Sequence, residues 1–451
     1  MNKPKIIRAE TLGEPTHGSP LKEKALRFYN GEAIARNDRT KELTQLESID
    51  DIEYFELAGP REKLFFNPNE TTVGIVTCGG LCPGLNDVIR ALTFCSLESY
   101  GVKRVLGFKY GYEGLVAKYY HYPIELTTDN TDEIHEKGGT ILKSSRGAQD
   151  TEDIIDTLVH YGVNILFTIG GDGTQRGARD IVEGVKKRNL PIAVVGIPKT
   201  IDNDVSLIQR SFGFETAVEA TWDIITNAHS EAKAYRNGVG LVRLMGRESG
   251  WIAASAALAN SNVNFCLVPE VPFDLHGENG FLSVLKERLR KKEHAVVVVA
   301  EGAGQHLFEA SSNKDKSGNK KLSDIGVLLK EEITNSFKAD GMEINVKYFD
   351  PSYNIRSRPA NANDSMYCLR LGGNAVHAAM AGKTNMIVGL HHDRFVHLPI
   401  PMIGARKTID PQSWFWQTVL QATHQPAEMS ETLNVEIVRP PATATNIICG
   451  S

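Results

Sequence analysis

The sequence predicts an α/β fold built on parallel sheets, and three observations carry that prediction. From Thr71 onward, short apolar and β-branched runs alternate with helical segments, the pattern of α/β layers. Val296 to Val299 is an unbroken run of valines, as suits a strand covered on both faces. Two strands lead straight into glycine-rich loops with a helix beyond, where ligands meet the carboxyl ends of parallel strands.

Val73 to Thr77 is the first of these strands, followed by a Gly/Pro loop and a helix from Asn86. Asn164 to Ile169 is the next, again with a Gly loop and a helix after it. Ile192 to Ile197, Val239 to Met245, Phe265 to Val268 and Ala295 to Ala300 repeat the theme, with helices expected near 151–161, 215–235, 281–292 and 324–338. Residues 1–68 differ: they are rich in Glu, Lys and Arg, broken by Pro and Gly, and only weakly periodic. They are expected to form an extension packed on the main body or on a neighbouring subunit. The polar stretch Ser311 to Ser323 reads as an exposed loop.

A chain of 451 residues suggests two or three domains, at roughly 100–200 residues each. With 41% hydrophobic residues it can bury a sizeable core. A net charge of -5 and the lack of a basic stripe argue against nucleic acid and anionic membrane as partners. No apolar run approaches the roughly 18 residues of a membrane span. Met1 to Ala9 lacks a signal-peptide core and the last residues carry no peroxisome-type tripeptide, so a cytoplasmic location is expected. Six cysteines in so long a chain do not make a disulfide framework. Cys78 and Cys82 have no second pair to answer them and read as loop thiols rather than a zinc site.

The first glycine loop is Cys78-Gly79-Gly80-Leu81-Cys82-Pro83-Gly84-Leu85-Asn86. Glycines let backbone N–H groups approach a phosphate, and the helix dipole beyond favours negative charge. Alone, such a loop is equally a tight strand-to-helix turn. The second, Ile169-Gly170-Gly171-Asp172-Gly173-Thr174, sets an acidic residue in the cradle. A carboxylate beside a polyphosphate makes sense when Mg²⁺ lies between them; otherwise it is a solvated turn residue. Gly382-Lys383-Thr384 mimics the end of a P-loop, but His377 stands where its first Gly belongs. Gly171 and Gly173 do not open a dinucleotide fingerprint, because Arg176 takes the third Gly position. His391-His392-Asp393 is not read as a metal cluster, since adjacent histidines on a strand face opposite ways.

Pro198-Lys199-Thr200-Ile201-Asp202-Asn203-Asp204 reads as an extended segment in which two carboxylates at i and i+2 point the same way. One can take a proton from an attacking hydroxyl while the other lies near a metal. Arg247, Lys347 and Arg356 are candidate cations for a phosphate, and Glu301, ending the valine strand, can accept hydrogen bonds from sugar hydroxyls. Each alone is equally a surface charge; the combination carries the argument.

CGGLCPGLN, GGDGT, PKTIDND, MGRESG, VVVAEG and YNIR occur in the order and approximate spacing of the phosphofructokinase family, which the chain resembles over residues 71–400. The resemblance implies two Rossmann-like three-layer domains: a nucleotide-binding one over 69–212, rejoined by 354–405, and a fructose 6-phosphate-binding one over 213–353. The extension 1–68 precedes them and a C-terminal segment, 406–451, follows. The implied activity is phosphoryl transfer from Mg-ATP to the C1 hydroxyl of fructose 6-phosphate. Asp202 would be the general base and Asp172 would serve Mg²⁺. Gly80, Arg146, Gly147, Gly171, Asp172, Gly173 and Thr174 would hold the nucleotide. Thr200, Ile201, Asp202, Met245, Gly246, Arg247 and Glu301 would hold the sugar phosphate, with Tyr353, Asn354, Ile355 and Arg356.

The family also implies a homotetramer in which a neighbouring chain completes each acceptor site, and here Lys347 fills one such cationic place. Gly238 falls where a second cation would align, with Arg236 or Arg243 as substitutes, and Tyr353 replaces a bacterial His. The chain therefore looks like the longer ATP-dependent branch of trypanosomatids, with plants related. Gly173 leaves room for the nucleotide α-phosphate, where pyrophosphate-dependent members usually carry Asp. Lys199 is the residue those members carry, so pyrophosphate stays as the alternative donor. A non-catalytic sugar-phosphate sensor would be expected to lack Asp202 or Asp172. Arg90 lies near the start of the bacterial effector site, although Phe94 replaces an Arg expected there.

Overall fold

A computed structural model describes residues 5–24, 27–36, 52–308, 322–404 and 406–430. The expected loop at Ser311 to Ser323 falls largely outside these residues. The N-terminal residues form strands despite their weak periodicity: β1 (Lys5–Ile7), β2 (Ala33–Ala35) and β3 (Glu53–Glu56), with β3 parallel to β1 and antiparallel to β2. Then come β4 (Thr72–Thr77), α1 (Leu85–Phe94), β5 (Arg104–Phe108), β6 (Ile124–Leu126), β7 (Ile165–Gly170), α2 (Asp172–Lys187) and β8 (Ala193–Pro198). A second series follows: α3 (Phe214–Lys233), β9 (Gly238–Leu244), α4 (Trp251–Ala259), β10 (Phe265–Leu267), β11 (His294–Ala300) and β12 (Asn345–Phe349). The chain ends, within the described residues, with α5 (Ala362–Met380), the hairpin β13 (Met386–His391) and β14 (Arg394–Pro399), and α6 (Trp414–Thr423).

Two sheets organise these elements. The seven-stranded sheet runs β14-β13-β8-β7-β4-β5-β6, parallel except at its edge strands β14 and β6. The four-stranded sheet runs β10-β11-β9-β12 and is parallel throughout. Strand side chains alternate between the faces, so each sheet is the middle of three layers. Ile165, Phe167 and Ile169 enter one core and Leu166 the other. The four valines divide likewise, Val296 and Val298 to one side of the second sheet and Val297 and Val299 to the other. No described helix is long and apolar enough to cross a membrane.

The extension packs on the body of its own chain. Phe55 is fully buried against the large sheet and meets the His391 ring edge-on at 5.1 Å. The Ala58 N–H donates to the Phe395 carbonyl at 2.8 Å. Beneath it, the Glu56 carboxylate accepts from Lys383 Nζ at 2.9 and 3.1 Å and from Arg61 Nη2 at 3.2 Å, and His397 Nδ1 lies 3.4 Å away. Burial alone would raise the Glu56 carboxyl, but its pairing with His397 and Lys383 prevails and holds it far below the ordinary range. The lysine of the P-loop look-alike is therefore an anchor for the extension.

The histidine pair needs a correction. His391 ends β13, but His392 and Asp393 are the hairpin turn, with φ of 46° and 58°. Left-handed turn residues break the strand alternation, and the two rings lie 4.1 Å apart instead of on opposite faces.

Glu56→Gln would leave Lys383 and Arg61 buried without their counter-charge. It is expected to cost about 3–5 kcal/mol of stability, seen as a lower denaturant midpoint. An unmoved midpoint would mean that this cluster does not anchor the extension.

Candidate active site

The carboxyl ends of β4, β7 and β8 lie level, because the parallel register sets Thr77 beside Ile169 and Gly170 beside Pro198. Three loops leave from there. In the first, Gly79 has φ of 85° and its N–H donates to the Ser145 carbonyl, bringing the 144–147 turn across it. A Cβ on Gly80 would lie 3.4 Å from Arg146 Nη2, so the two border the same space; Gly147, with φ of 110°, lies open beside them. In the second, Gly171 caps α2, which begins at Asp172, one turn earlier than a Gly loop through Thr174 would allow. Asp172, Gly173 and Thr174 thus form the first turn; the Thr174 N–H turns back to the Gly171 carbonyl at 2.9 Å, and the helix dipole at this end suits phosphate. Thr174 is buried, and its carbonyl accepts from the Tyr112 hydroxyl at 2.7 Å.

The third loop joins the other two. Lys199 is buried; its backbone N–H donates to the Gly170 carbonyl, and its Nζ donates to the Gly80 carbonyl at 2.9 Å. Burial pushes its ammonium below the ordinary lysine range. Beyond it the chain is not extended: Ile201 and Asp202 make a turn and Asn203 has φ of 55°. The two carboxylates therefore part. Asp204 accepts from Thr200 Oγ1 at 2.7 Å and from Arg406 Nη1 at 2.7 Å. Asp202 turns towards the second sheet and accepts from the Arg247 N–H at 3.3 Å. Ile201 packs against the cores of both sheets, fixing the turn between them.

The second sheet supplies the facing wall. Buried Met245 follows β9, and Gly246, with φ of 132°, has the Ser249 carbonyl where a Cβ would go, 2.5 Å away. Only a glycine turns the chain there, and that turn aims the Arg247 N–H at Asp202. Glu301 follows β11; burial raises its carboxyl, while the charges of Arg243, Arg247 and Arg356 pull it down. Tyr353 to Arg356 lie in a short helix, Ser352–Arg356, with Ile355 buried, Tyr353 exposed and the Arg356 guanidinium 4.4 Å over the Tyr353 ring. Asn354 is exposed in the same turn.

Asp202 sits deep in the cleft between these walls while keeping partial access to solvent. Burial, with the like charges of Asp204 and Glu301, pushes its carboxyl up to about 7; the Arg247 N–H and Arg406 pull the other way. A carboxylate poised there can take up a proton near neutral pH.

The family model described as Phosphofructokinase matches residues 72–379. The chain belongs to the phosphofructokinase family. The ATP-dependent 6-phosphofructokinase of Borreliella burgdorferi is 48% identical over 440 residues, covering 94% of this chain and 97% of that protein. The ATP-dependent 6-phosphofructokinase of Trypanosoma cruzi is 49% identical, covering 82% of this chain and 76% of its own. A solved pyrophosphate-dependent phosphofructokinase from Marinobacter aquaeolei has the same fold at a TM-score of 0.64 and 19% identity, covering 78% of this chain and 91% of that chain. The similarity to the Borreliella burgdorferi protein covers more of the chain than residues 71–400 alone.

Four features of this phosphofructokinase go beyond its motifs. At Gly238, a Cβ would lie 2.0 Å from the Ala232 carbonyl, so the closing turn of α3 forbids any side chain there. Arg243 is held by Asp350 at 2.8 Å, with Glu301 and Asp324 each at 3.9 Å. Lys347 lies apart from these groups, mid-strand on edge strand β12 opposite Gly240, its ammonium 4.9 Å from the Tyr235 ring. Near the expected effector site, Arg90 pairs with Asp132 at 2.9 Å and stacks over Phe94, beside a cleft lined by Asp129, Asp132, Glu133 and Lys137.

Sequence reasoning missed Arg406, which meets Asp204, Asp172 at 3.2 Å and Glu248 at 2.9 Å. It lies beyond every motif, and no spacing rule marks it.

Among the described residues, no group of three or more His, Cys, Asp or Glu is arranged to hold a metal by itself. Mg²⁺ does not need one, since it usually takes one or two carboxylates together with substrate phosphates. Asp172, half-exposed on the first turn of α2, is an oxygen donor of that kind and fits the ion.

Because folding raises the Asp202 carboxyl, the ionised form costs stability as pH rises through about 7. Asp202→Asn removes that cost. The ligand-free variant is expected to melt above the wild type at pH 8, the gain shrinking as pH falls below about 7 and gone by about pH 4, where the unfolded carboxyl also protonates. A pH-independent difference would show that Asp202 is not raised.

Proposed function

We infer that this phosphofructokinase transfers the terminal phosphoryl group of ATP to the C1 hydroxyl of fructose 6-phosphate, giving fructose 1,6-bisphosphate and ADP. The observation that carries this reading is the Asp202 carboxyl, raised to about 7 and held between a glycine cradle and a wall bearing Arg247 and Glu301. Its relatives from Borreliella burgdorferi and Trypanosoma cruzi are named ATP-dependent 6-phosphofructokinases. A sugar-phosphate sensor has no use for such a base, and both Asp202 and Asp172 are in place.

In this reading the first turn of α2 and the Gly79–Gly80 loop receive the phosphates of the nucleotide, with Arg146 at their border. Asp172 would hold Mg²⁺, which when bound would offset charge on the transferring group. Arg247 and Arg356 bind the sugar phosphate, and Glu301 accepts from its hydroxyls. Asp202 accepts the C1 hydroxyl proton as that oxygen attacks. Lys199, fixed to the Gly80 carbonyl, lends positive charge beside the transferring group.

Gly173 decides the donor. A Cβ there meets only Arg176 Nη2, at 3.8 Å, and the glycine needs no left-handed backbone. Gly173→Asp therefore fits the protein and places its charge where the nucleotide would lie. With fructose 6-phosphate as acceptor, the wild type should use ATP and not pyrophosphate. Gly173→Asp should lose most ATP-dependent turnover without a change in melting temperature. Wild-type preference for pyrophosphate, or unaltered ATP kinetics in the variant, would overturn the assignment of donor.

Lys347 stands mid-strand on β12 opposite Gly240 and not at the carboxyl end of β9 that leads to Arg247, which supports a shared site in a homotetramer, with Lys347 reaching a neighbour's sugar phosphate. Asp202→Ser chains should turn over roughly 10²–10⁴-fold more slowly, and Lys347→Ala chains should bind fructose 6-phosphate poorly. After verified subunit exchange, the mixture should regain activity, because some sites then contain neither lesion. No recovery would place both residues in one chain's site.

A further inference from the structure

Arg406 carries the furthest inference. Its guanidinium meets carboxylates from three separate loops: Asp172 at the start of α2 by Nη2, Asp204 after the Asp202 turn by Nη1, and Glu248 after Arg247 by Nε. Each donor edge of the planar fork serves a different carboxylate, which a lysine ammonium could not do with the same geometry. The backbone holds the residue there as well: Arg406 bridges Val205, and the Lys407 N–H donates to the Asp204 carbonyl at 2.8 Å. One of those carboxylates, Asp172, is the group the phosphoryl-transfer reading gives to Mg²⁺.

We propose that Arg406 is a positioning residue that acts as the resident counter-cation of the ligand-free site and yields Asp172 to the divalent cation that accompanies the nucleotide. Without it, Asp172, Asp204 and Glu248 would face one another with no cation between them. Like charges at such range repel, and with the backbone still held by the Lys407 N–H and the Val205 bridge the uncompensated carboxylates would draw a metal from solution. With it, the carboxylates hold their places while the site is empty, and a free divalent cation gains little by entering. The metal competes effectively when it arrives with phosphate oxygens that supply the rest of its shell. Arg406 would thus bias the site against metal alone and towards metal with nucleotide.

The proposal rests on the phosphoryl-transfer reading, so its test is run without substrate or turnover. Mn²⁺, which is paramagnetic, is titrated into the ligand-free full-length enzyme and the free ion is read by electron paramagnetic resonance. Arg406→Met should bind Mn²⁺ about tenfold more tightly than the wild type, the scale expected when a competing cation leaves a carboxylate cluster. Adding Asp172→Asn to it should abolish the gain. A merely structural arginine would give the opposite result, since loosening the loops disperses the donors and weakens Mn²⁺ binding. Unchanged or weaker binding in Arg406→Met overturns the proposal, and so does a gain that survives Asp172→Asn. Should Arg406→Met fail to fold, Arg406→Lys serves instead: its ammonium covers fewer carboxylates, so it should still bind Mn²⁺ more tightly than the wild type, and equal affinity overturns the proposal. Failure of the wild type to phosphorylate fructose 6-phosphate would sink the functional reading while leaving the Mn²⁺ comparison to stand or fall by itself.

Discussion

The parallel pairing of β7 with β4 and β8 governs everything at the site. Backbone hydrogen bonds carry that pairing past the strand ends, from the Cys78 N–H to the Ile169 carbonyl and from the Lys199 N–H to the Gly170 carbonyl. Gln175, one turn into α2, then donates to the carbonyls of Gly170 and Ile197 and ties the helix to both strands. These contacts leave no room for side chains. A Cβ on Gly170 would lie 2.1 Å from Thr174 Oγ1, and one on Gly196 would lie 2.0 Å from Gln175 Oε1. A shift of register would separate the phosphate cradle, the buried lysine and the acidic turn together.

The second sheet has a different task, which is to hold charge opposite Asp202. Two glycines allow it. Gly246 turns the chain so that the Arg247 N–H faces the carboxylate, and Gly302, where a Cβ would lie 1.8 Å from the Arg247 carbonyl, lets the turn after β11 pack against it. Asp202 is thus enclosed by a cation-bearing wall and by its own acidic neighbours, and the neighbours and burial prevail. A carboxylate of ordinary low pKa would be a weak base, and a fully solvated one would be hard to position. The cleft between two sheets resolves that conflict, because neither sheet alone encloses the residue.

What could be read from the sequence was whatever a local pattern encodes. A parallel strand buried on both faces is a continuous apolar run, so β4, β7, β8, β9 and β11 were placed within a residue or so of their observed ends. The glycine cradle and Asp202 stood out because chemistry needs those residue types at that spacing. The extension was opaque for the opposite reason: β1 to β3 are three or four residues long, alternate imperfectly and gain their burial from β14 and the Glu56 cluster. The Asp202 segment was misjudged as extended because nothing in its composition announces that Asn203 is left-handed. Arg406 was invisible because its role exists only where three distant loops meet.

That last failure says something about how the enzyme is put together. The acceptor turn is shaped from more than 200 residues downstream as much as by its own sequence. Lys407 Nζ donates to Asn203 Oδ1 and to the carbonyls of Ile208 and Gln209, so the 203–209 loop is clamped from one side by a single ammonium. The Lys407 carbonyl accepts from Trp251 Nε1 at 2.9 Å, and the Ile409 N–H donates to Glu270, which also receives the Gly250 N–H at the start of α4. The segment after β14 therefore stitches the Asp202 turn to the second sheet's own helix, and α6 buries Trp416 and Val419 in that sheet's core to secure the thread. Residues 72–379 contain the groups that would do the chemistry, yet the distances between those groups are set by residues outside that span.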